Sequence, residues 1–296
     1  MEEQMSHIAT VGIIGGTGLY EMDGLVKQKE IKVSTPFGKP SGNILTGELN
    51  GVRIAFISRH GKGHVLMPSE INYRANIYAL KKIGVTSIIS VSAVGSLRED
   101  LKPGSIVIVN QFFDRTFKRK NTFFEKGIVA HVSMAEPVCN EISKILYRAG
   151  KSFGYDIKER GTYVCIEGPQ FSTKAESNVY RTLGFDVIGM TNLPEAKLAR
   201  EAEICYATLG LVTDYDCWHE SEEPVSVEVI IDTLNKNIHR AKEIIKTSIT
   251  EISNITDCSC LHSLKDAIVT AHGNIPEKTR SALELIIGKY IKRRRK

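Results

Sequence analysis

Short apolar runs that end in glycine, serine or arginine alternate with segments of helical period along most of the chain. Val11-Gly12-Ile13-Ile14 reads as a buried strand entering the turn Gly15-Gly16-Thr17-Gly18. Residues 52–58 alternate as a second strand, which ends at Arg59-His60-Gly61. The apolar residues Ile71, Ala75, Tyr78 and Ala79 predict a helix over 71–83, with Ser69 as N-cap and Gly84 as its stop. Strands follow at 87–94, ending at Gly95, and at 105–109. Residues 114–131 are irregular and basic, which predicts an exposed loop, and a helix is expected over 136–153. A strand over 162–166 leads into Glu167-Gly168-Pro169-Gln170-Phe171, and Thr173 with Glu176 forms a capping box for a helix running to about residue 183. A strand over 186–190 precedes a helix opened by Pro194, where the missing N–H costs nothing. A strand over 206–213, a long amphipathic helix over 226–252 and two C-terminal helices complete the chain, the second beginning near Pro276.

Strands alternating with helices predict an α/β protein: a single domain over residues 1–296 with a central mixed β-sheet flanked by helices. No linker or internal repeat divides it; a helical extension is expected from about residue 257, with a basic tail over 289–296. The 296 residues, 42% hydrophobic and 25% charged, exclude a disordered or low-complexity chain. No apolar run approaches the roughly 18–20 residues a membrane helix needs. The acidic start Met1-Glu2-Glu3-Gln4 shows no secretory signal, so a cytoplasmic location is expected. The net charge of +5 lies in the tail: Lys289, Lys292, Arg293, Arg294, Arg295 and Lys296 account for it. Such a tail suits either a solvated helix end or an anionic partner, but apart from Tyr290 no aromatic residue is interleaved to stack on bases, so no nucleic-acid partner is expected.

Cys258-Ser259-Cys260 has the look of a metal-ligand pair, yet no second pair or histidine cluster with zinc spacing accompanies it in sequence, and no metal is predicted. Oxidation of this Cys-x-Cys stays open. Cys139, Cys165, Cys205 and Cys217 stand in apolar surroundings and read as buried, inert thiols.

Functional residues of α/β sheets gather beyond the carboxyl ends of the strands. The turn at Gly15–Gly18 could cradle phosphate through its N–H groups and Thr17, or be structural. It fails the dinucleotide fingerprint because Glu21 stands where the third glycine belongs, and it fails the Walker pattern because Pro40 follows Gly38-Lys39. Arg59 can grip an oxyanion by two parallel hydrogen bonds, with His60 as a third donor; surface charge is the alternative. His60 and His64 have metal-pair spacing, but Gly61 and Gly63 argue against the helix such a pair needs. Thr17, Arg59, His60, Ser92 and Thr191 together would make a compact anion site without a metal. Asp214 and Asp216 at the next strand end are candidates for acid–base work, or else a turn residue and a helix cap.

Gly15-Gly16-Thr17-Gly18, Thr35-Pro36-Phe37-Gly38-Lys39-Pro40, Arg59-His60-Gly61, Gly95-Ser96-Leu97-Arg98, Glu167-Gly168-Pro169-Gln170-Phe171 and Thr213-Asp214-Tyr215-Asp216-Cys217-Trp218 closely resemble, in this order, 5′-methylthioadenosine phosphorylases. The similarity runs from about residue 11 to 249; the trimeric purine nucleoside phosphorylases are wider relatives. The resemblance implies the nucleoside phosphorylase fold and attack of phosphate on C1′ of the nucleoside, with release of adenine and 5-methylthioribose 1-phosphate. Inorganic phosphate would be a co-substrate, and no cofactor is implied. By similarity, Thr17, Arg59, His60, Ser92, Ala93 and Thr191 bind phosphate, and Met190 and His64 meet the ribose. Ala93 and Phe171 pack near the base, and Asp214 and Asp216 face N7 and the 6-amino group. Val227 and Ile230 line a methylthio pocket, and His131 reaches into a neighbouring subunit's site, which implies a homotrimer or a dimer of trimers.

Cleavage of the C–N bond leaves positive charge on the ribose and negative charge on the purine. Phosphate under the sugar answers the first, and a carboxylic acid at N7, its pKa raised by burial or by the second carboxylate, answers the second. Asp214 is expected to be that acid. A carboxylate oxygen also accepts from an amino group and repels a 6-oxo group, so an adenine-type enzyme is expected, with adenosine a poorer second substrate. The alternatives are a purine nucleoside phosphorylase of broader or 6-oxopurine specificity and, remotely, a nucleic-acid-binding protein using the basic tail.

Overall fold

The computed structural model describes residues 8–219 and 227–291; the side chains of Thr17, Val227 and Ile230 and residues 292–296 of the basic tail lie outside the described residues. Nine strands form one mixed sheet: β1 (Val11–Gly15), β2 (Val26–Ile31), β3 (Ile44–Leu49), β4 (Val52–Ser58), β5 (Ser87–Ser96), β6 (Ile106–Arg115), β7 (Ile157–Ile166), β8 (Val187–Gly189) and β9 (Cys205–Tyr215). Their order is β2-β3-β4-β1-β5-β8-β7-β6-β9, and β9 also pairs with β5, so the last five strands close on themselves. Strands β4, β1, β5 and β9 run parallel to their neighbours in the middle of the sheet.

Alternation along these strands explains the layers. Val11, Ile13, Ile54, Phe56, Ile89, Leu209 and Leu211 join one buried cluster with α2 (Asn140–Ser152) and α5 (Val227–Ser253). Their neighbours Ile14, Ile57, Ile88 and Val212 point the other way, into a cluster with α1 (Tyr73–Lys82) and α4 (Asn192–Glu201). Each central strand is therefore apolar on both faces, as a sheet between two helical layers requires.

Several elements differ from expectation. Asn72, not Ser69, caps α1, its side chain accepting from the Ala75 N–H. The helix expected from residue 136 starts at Asn140. Strands β6 and β7 run well beyond the expected ranges, because each finds a partner in the other. The first expected C-terminal helix is only two short 3-10 turns, Ser259–His262 and His272–Asn274, before α6 (Glu277–Ile287). The capping box of α3 (Lys174–Thr182) forms with both reciprocal bonds. No helix among the described residues is long and apolar enough to cross a membrane.

The stretch 114–131 is not a freely exposed loop. It buries Phe123, Phe124 and Ile128, and the Arg119 side chain is 1% exposed. The cysteines are also arranged differently. Cys217 is exposed, whereas Cys139 and Cys205 come from distant segments to meet Cys258 and Cys260.

Candidate active site

The ends of β1, β4, β5, β8 and β9 converge. Arg59 directly follows β4, and its N–H donates to Gly15 O at the end of β1 at 3.0 Å. Its side chain turns inward and is almost wholly buried beside Glu195 on α4. Nε and Nη2 donate to the two Glu195 carboxylate oxygens at 2.8 and 3.0 Å. Nη2 also reaches Ser90 Oγ, and Nη1 donates to Val91 O. Burial works against the guanidinium charge, but the Glu195 carboxylate more than restores it and raises the pKa above the usual arginine range. The expected two-pronged grip on an oxyanion is therefore corrected: the fork holds Glu195, and Nη1 alone keeps an N–H to spare among the described residues.

His60 is also corrected. Its Nδ1 lies 2.8 Å from Leu66 O, and a carbonyl can only accept, so Nδ1 carries the proton. Burial lowers the imidazole pKa to about 4, with Arg59 and His64 adding to the effect and Glu195 opposing it. The neutral ring thus offers Nε2 as an acceptor rather than a third donor. His64 is exposed and stacks on this ring, with centroids 4.1 Å apart. Because the folded-state pKa lies below the ordinary 6.5, the unfolded chain binds the extra proton first, and stability falls as pH drops from about 6.5 towards 4. Titration of the histidine resonances should show His60 neutral between pH 5 and 8, and His60→Asn should flatten this acid loss.

Ser92 and Thr191 stand side by side, their hydroxyl oxygens 3.3 Å apart and both buried. Tyr163 supports both: its oxygen lies 3.4 Å from Ser92 Oγ and accepts from the Thr191 N–H at 3.3 Å. A methyl group at Gly189 would come within 2.1 Å of that phenol oxygen. Gly189→Ala is therefore expected to destabilise the chain by about 1–3 kcal/mol, read by denaturant unfolding. Ala93, next in β5, is exposed at the mouth of the site.

Three residues beyond Ser92 on β5, Gly95 meets the carboxylates. In the register with β9, Val94 faces Val212 but Gly95 faces Asp214, so Thr213 is an extra residue and β9 bulges there. The bulge aims Asp214 at Gly95, where an added Cβ would lie 3.1 Å from Asp214 Oδ1 and 3.6 Å from Asp216 Cβ. Asp214 Oδ2 accepts from Thr213 Oγ1 at 2.6 Å. Asp216 is buried, and its Oδ2 has no hydrogen-bond partner among the described residues. Burial raises its pKa above the ordinary carboxyl value. Neither residue is a simple turn or cap; Asp214 belongs to the strand itself.

Residues that the sequence did not single out organise the rest. Arg119 Nη1 donates to Met190 O and Leu193 O at 2.7 and 2.6 Å, and Nη2 donates to Glu167 O at 2.7 Å. One buried cation thus ties the loop after β7 to the loop after β8 and fixes the backbone at Met190. Met190 Sδ fills the space over Gly168, which has φ +67°. Phe171 in the same loop is 79% exposed, so the described residues leave it largely uncovered. His131 is exposed, far along the chain from these strand ends, with its N–H on Ala267 O. The structure thus brings together Arg59, His60, His64, Ser92, Ala93 and Thr191 at one end of the cleft, Asp214 and Asp216 at the other, and Met190 on its wall. No hydrogen bond among the described residues joins His131 to them.

The model of the phosphorylase superfamily matches residues 10–250. This chain belongs to that superfamily, among the S-methyl-5′-thioadenosine phosphorylases. It is 56% identical over 282 residues to the S-methyl-5′-thioadenosine phosphorylase of Geobacter sulfurreducens, covering 95% of this chain and 99% of that one. A crystal structure of methylthioadenosine phosphorylase from an antarctic soil metagenomic library superposes with a TM-score of 0.90 at 51% identity, covering 95% and 99% of the two chains. A Ser-to-Thr mutant of the adenosine/methylthioadenosine phosphorylase of Schistosoma mansoni, solved in complex with methylthioadenosine, has a TM-score of 0.76 at 36% identity, covering 87% and 99%. Within this phosphorylase fold, the convergent strand ends are the natural place for a ligand.

Proposed function

We propose that the chain catalyses phosphorolysis of S-methyl-5′-thioadenosine to adenine and 5-methylthioribose 1-phosphate. The observation that carries this reading is the division of one strand: β5 presents Ser92 beside Thr191 at one point and Gly95 against Asp214 three residues on. At about 3.3 Å per residue these points are about 10 Å apart, the span from an anion under a ribose to the base above it.

In this reading phosphate is seated by Thr17, Ser92, Ala93 and Thr191, by the spare Nη1 hydrogen of Arg59 and by His60. The neutral His60 Nε2 accepts the hydrogen of a protonated phosphate oxygen, so no two charges of like sign are forced together. Met190 and His64 hold the ribose, while Ala93 and Phe171 cover sugar and base. A phosphate oxygen bonds to C1′ as the C1′–N9 bond breaks and its electron pair moves into the purine. Asp214 then gives its proton to N7. The unpartnered Asp216 oxygen accepts from the 6-amino group, and a 6-oxo group there would meet a like charge, which disfavours the 6-oxopurine reading. Phosphate is consumed as co-substrate, and none of these roles calls on a cofactor.

Val227 and Ile230, at the start of α5, line the 5′ pocket, and His131 completes it from a neighbouring subunit. The working form is then a homotrimer or a dimer of trimers, located in the cytoplasm and serving purine and methionine salvage. An apolar 5′ pocket gains about 1–3 kcal/mol from a thioether methyl. Incubation with methylthioadenosine should release adenine only when phosphate is present, with kcat/KM higher than for adenosine. Adenine release without phosphate, or a preference for adenosine, overturns the assignment.

A further inference from the structure

At the end of the sheet remote from the cleft, four thiols meet. Cys139 precedes α2 and donates its N–H to Tyr206 O; Cys205 opens β9 and donates to Thr86 O. Cys258 and Cys260 belong to the 3-10 turn that follows α5. All four Sγ atoms lie within 4.8 Å of one another, those of Cys139 and Cys258 at 3.7 Å, and all are free thiols. Three of the residues are buried and Cys258 is half-buried. A tetrahedron with metal–sulfur bonds of about 2.3 Å has edges of about 3.8 Å, so a small inward rotation of the side chains completes a four-sulfur zinc shell.

Charge provides a second, independent observation. Arg200 at the end of α4 places Nη1 3.3 Å from Cys260 Sγ. Its Nε is buried without a hydrogen-bond partner, and none of the ion pairs among the described residues includes it. A half-buried cation beside four neutral thiols, or beside two neutral disulfides, is uncompensated. A zinc ion with four thiolates carries a charge of −2 and supplies the missing partner. Ile249, Ile252, Ile255 and Leu261 share one apolar cluster with the four cysteines, a setting that suits a structural rather than a catalytic zinc centre.

We propose that Cys139, Cys205, Cys258 and Cys260 bind one structural zinc ion per chain, with Arg200 offsetting half of the charge of the four-thiolate site. On binding, the thiols give up their protons to solvent and no oxidant is needed. Cys205 stands nine residues before Asp214 in β9, about 30 Å away along the strand, so the ion takes no part at the cleft. Its effect is to pin the segment beginning at residue 257 to the first residue of β9 and to the start of α2.

The test uses the full-length chain, produced with zinc in the medium and purified without chelator or added reductant. Atomic emission should find one zinc per chain. Thiol titration after denaturation with a chelator should find all six cysteines reduced. Replacing the ion by Co²⁺ should give thiolate charge-transfer bands and the intense visible bands of a tetrahedral site. Cys258→Ser/Cys260→Ser should lose the metal, while Cys217→Ser, at the exposed cysteine, should keep it. The stoichiometry is read on the unaltered chain, so a variant that fails to fold does not weaken the test. A zinc-free chain with free thiols, a mass 2 or 4 Da low from disulfides, or iron in place of zinc would each overturn the proposal. None of these readouts depends on phosphorolysis.

Discussion

Asp214→Asn should lower turnover on methylthioadenosine by about 10²–10⁴-fold while leaving the melting temperature nearly unchanged. The amide has the shape of the carboxyl group, and its oxygen can still accept from Thr213 Oγ1, which now lies 2.6 Å from Asp214 Oδ2. The bulge that aims the side chain is set by backbone pairing between β5 and β9 and does not depend on the acid. What is lost is the proton. Without it the purine departs as an anion, and the developing charge on N7 faces a group that can donate only a weakly acidic amide hydrogen. The loss should fall on kcat more than on KM, because the proton moves only as the bond breaks. It should shrink for a substrate whose leaving base needs no protonation. Steady-state kinetics with methylthioadenosine and with a nitrophenyl riboside check both statements; turnover within a factor of a few of the parent would remove the role assigned to Asp214.

The second large effect is on stability. Arg59 and Glu195 are both buried, 2% and 1% exposed, and are joined by two hydrogen bonds. Among the described residues, Arg59→Met leaves the Glu195 carboxylate in the core with hydrogen bonds from the Ser90 and Tyr206 hydroxyls alone. The expected cost is about 3–5 kcal/mol. Arg59→Met/Glu195→Leu should recover most of it, because an apolar pair of similar volume avoids desolvating two charges. The phosphate KM should stay high in both variants, since neither has the Nη1 donor. Denaturant unfolding at fixed protein concentration and phosphate titration separate the two effects. Equal stability of the single and double variants would show that the pair is not coupled.

The strands that position the cleft were legible because their alternation and their glycine or serine ends have local causes, as at Val11–Gly15 and Val52–Ser58. The capping box at Thr173 and Glu176 is likewise a local signal. Strands β2 and β3 left no clear trace. β2 is Val-Lys-Gln-Lys-Glu-Ile at the sheet edge, nearly all exposed, and its charges protect an edge rather than mark a core. Glu195 was hidden because its partner lies 136 residues away. Arg119 sat in a basic stretch where nothing distinguishes a buried arginine from a solvated one until the carbonyls of Glu167, Met190 and Leu193 surround it. The role of His60 as an acceptor depends on a carbonyl six residues on, which only the turn brings back. The four-cysteine cluster escaped for a related reason: Cys258 and Cys260 are paired in sequence, but Cys139 and Cys205 come singly from two distant segments and supply no second pair.

One strand carrying both ends of the cleft has an evolutionary consequence. The distance between them is a length of hydrogen-bonded backbone, and it can change only if a register slips, which would turn every neighbouring side chain to the opposite face. Reach is therefore inherited with the fold, while preference is written on the rim. New selectivity in such a scaffold should arise by exchanging loop and helix-start residues around an unaltered yardstick, and a library aimed at other nucleosides would do best to leave residues 92–95 alone.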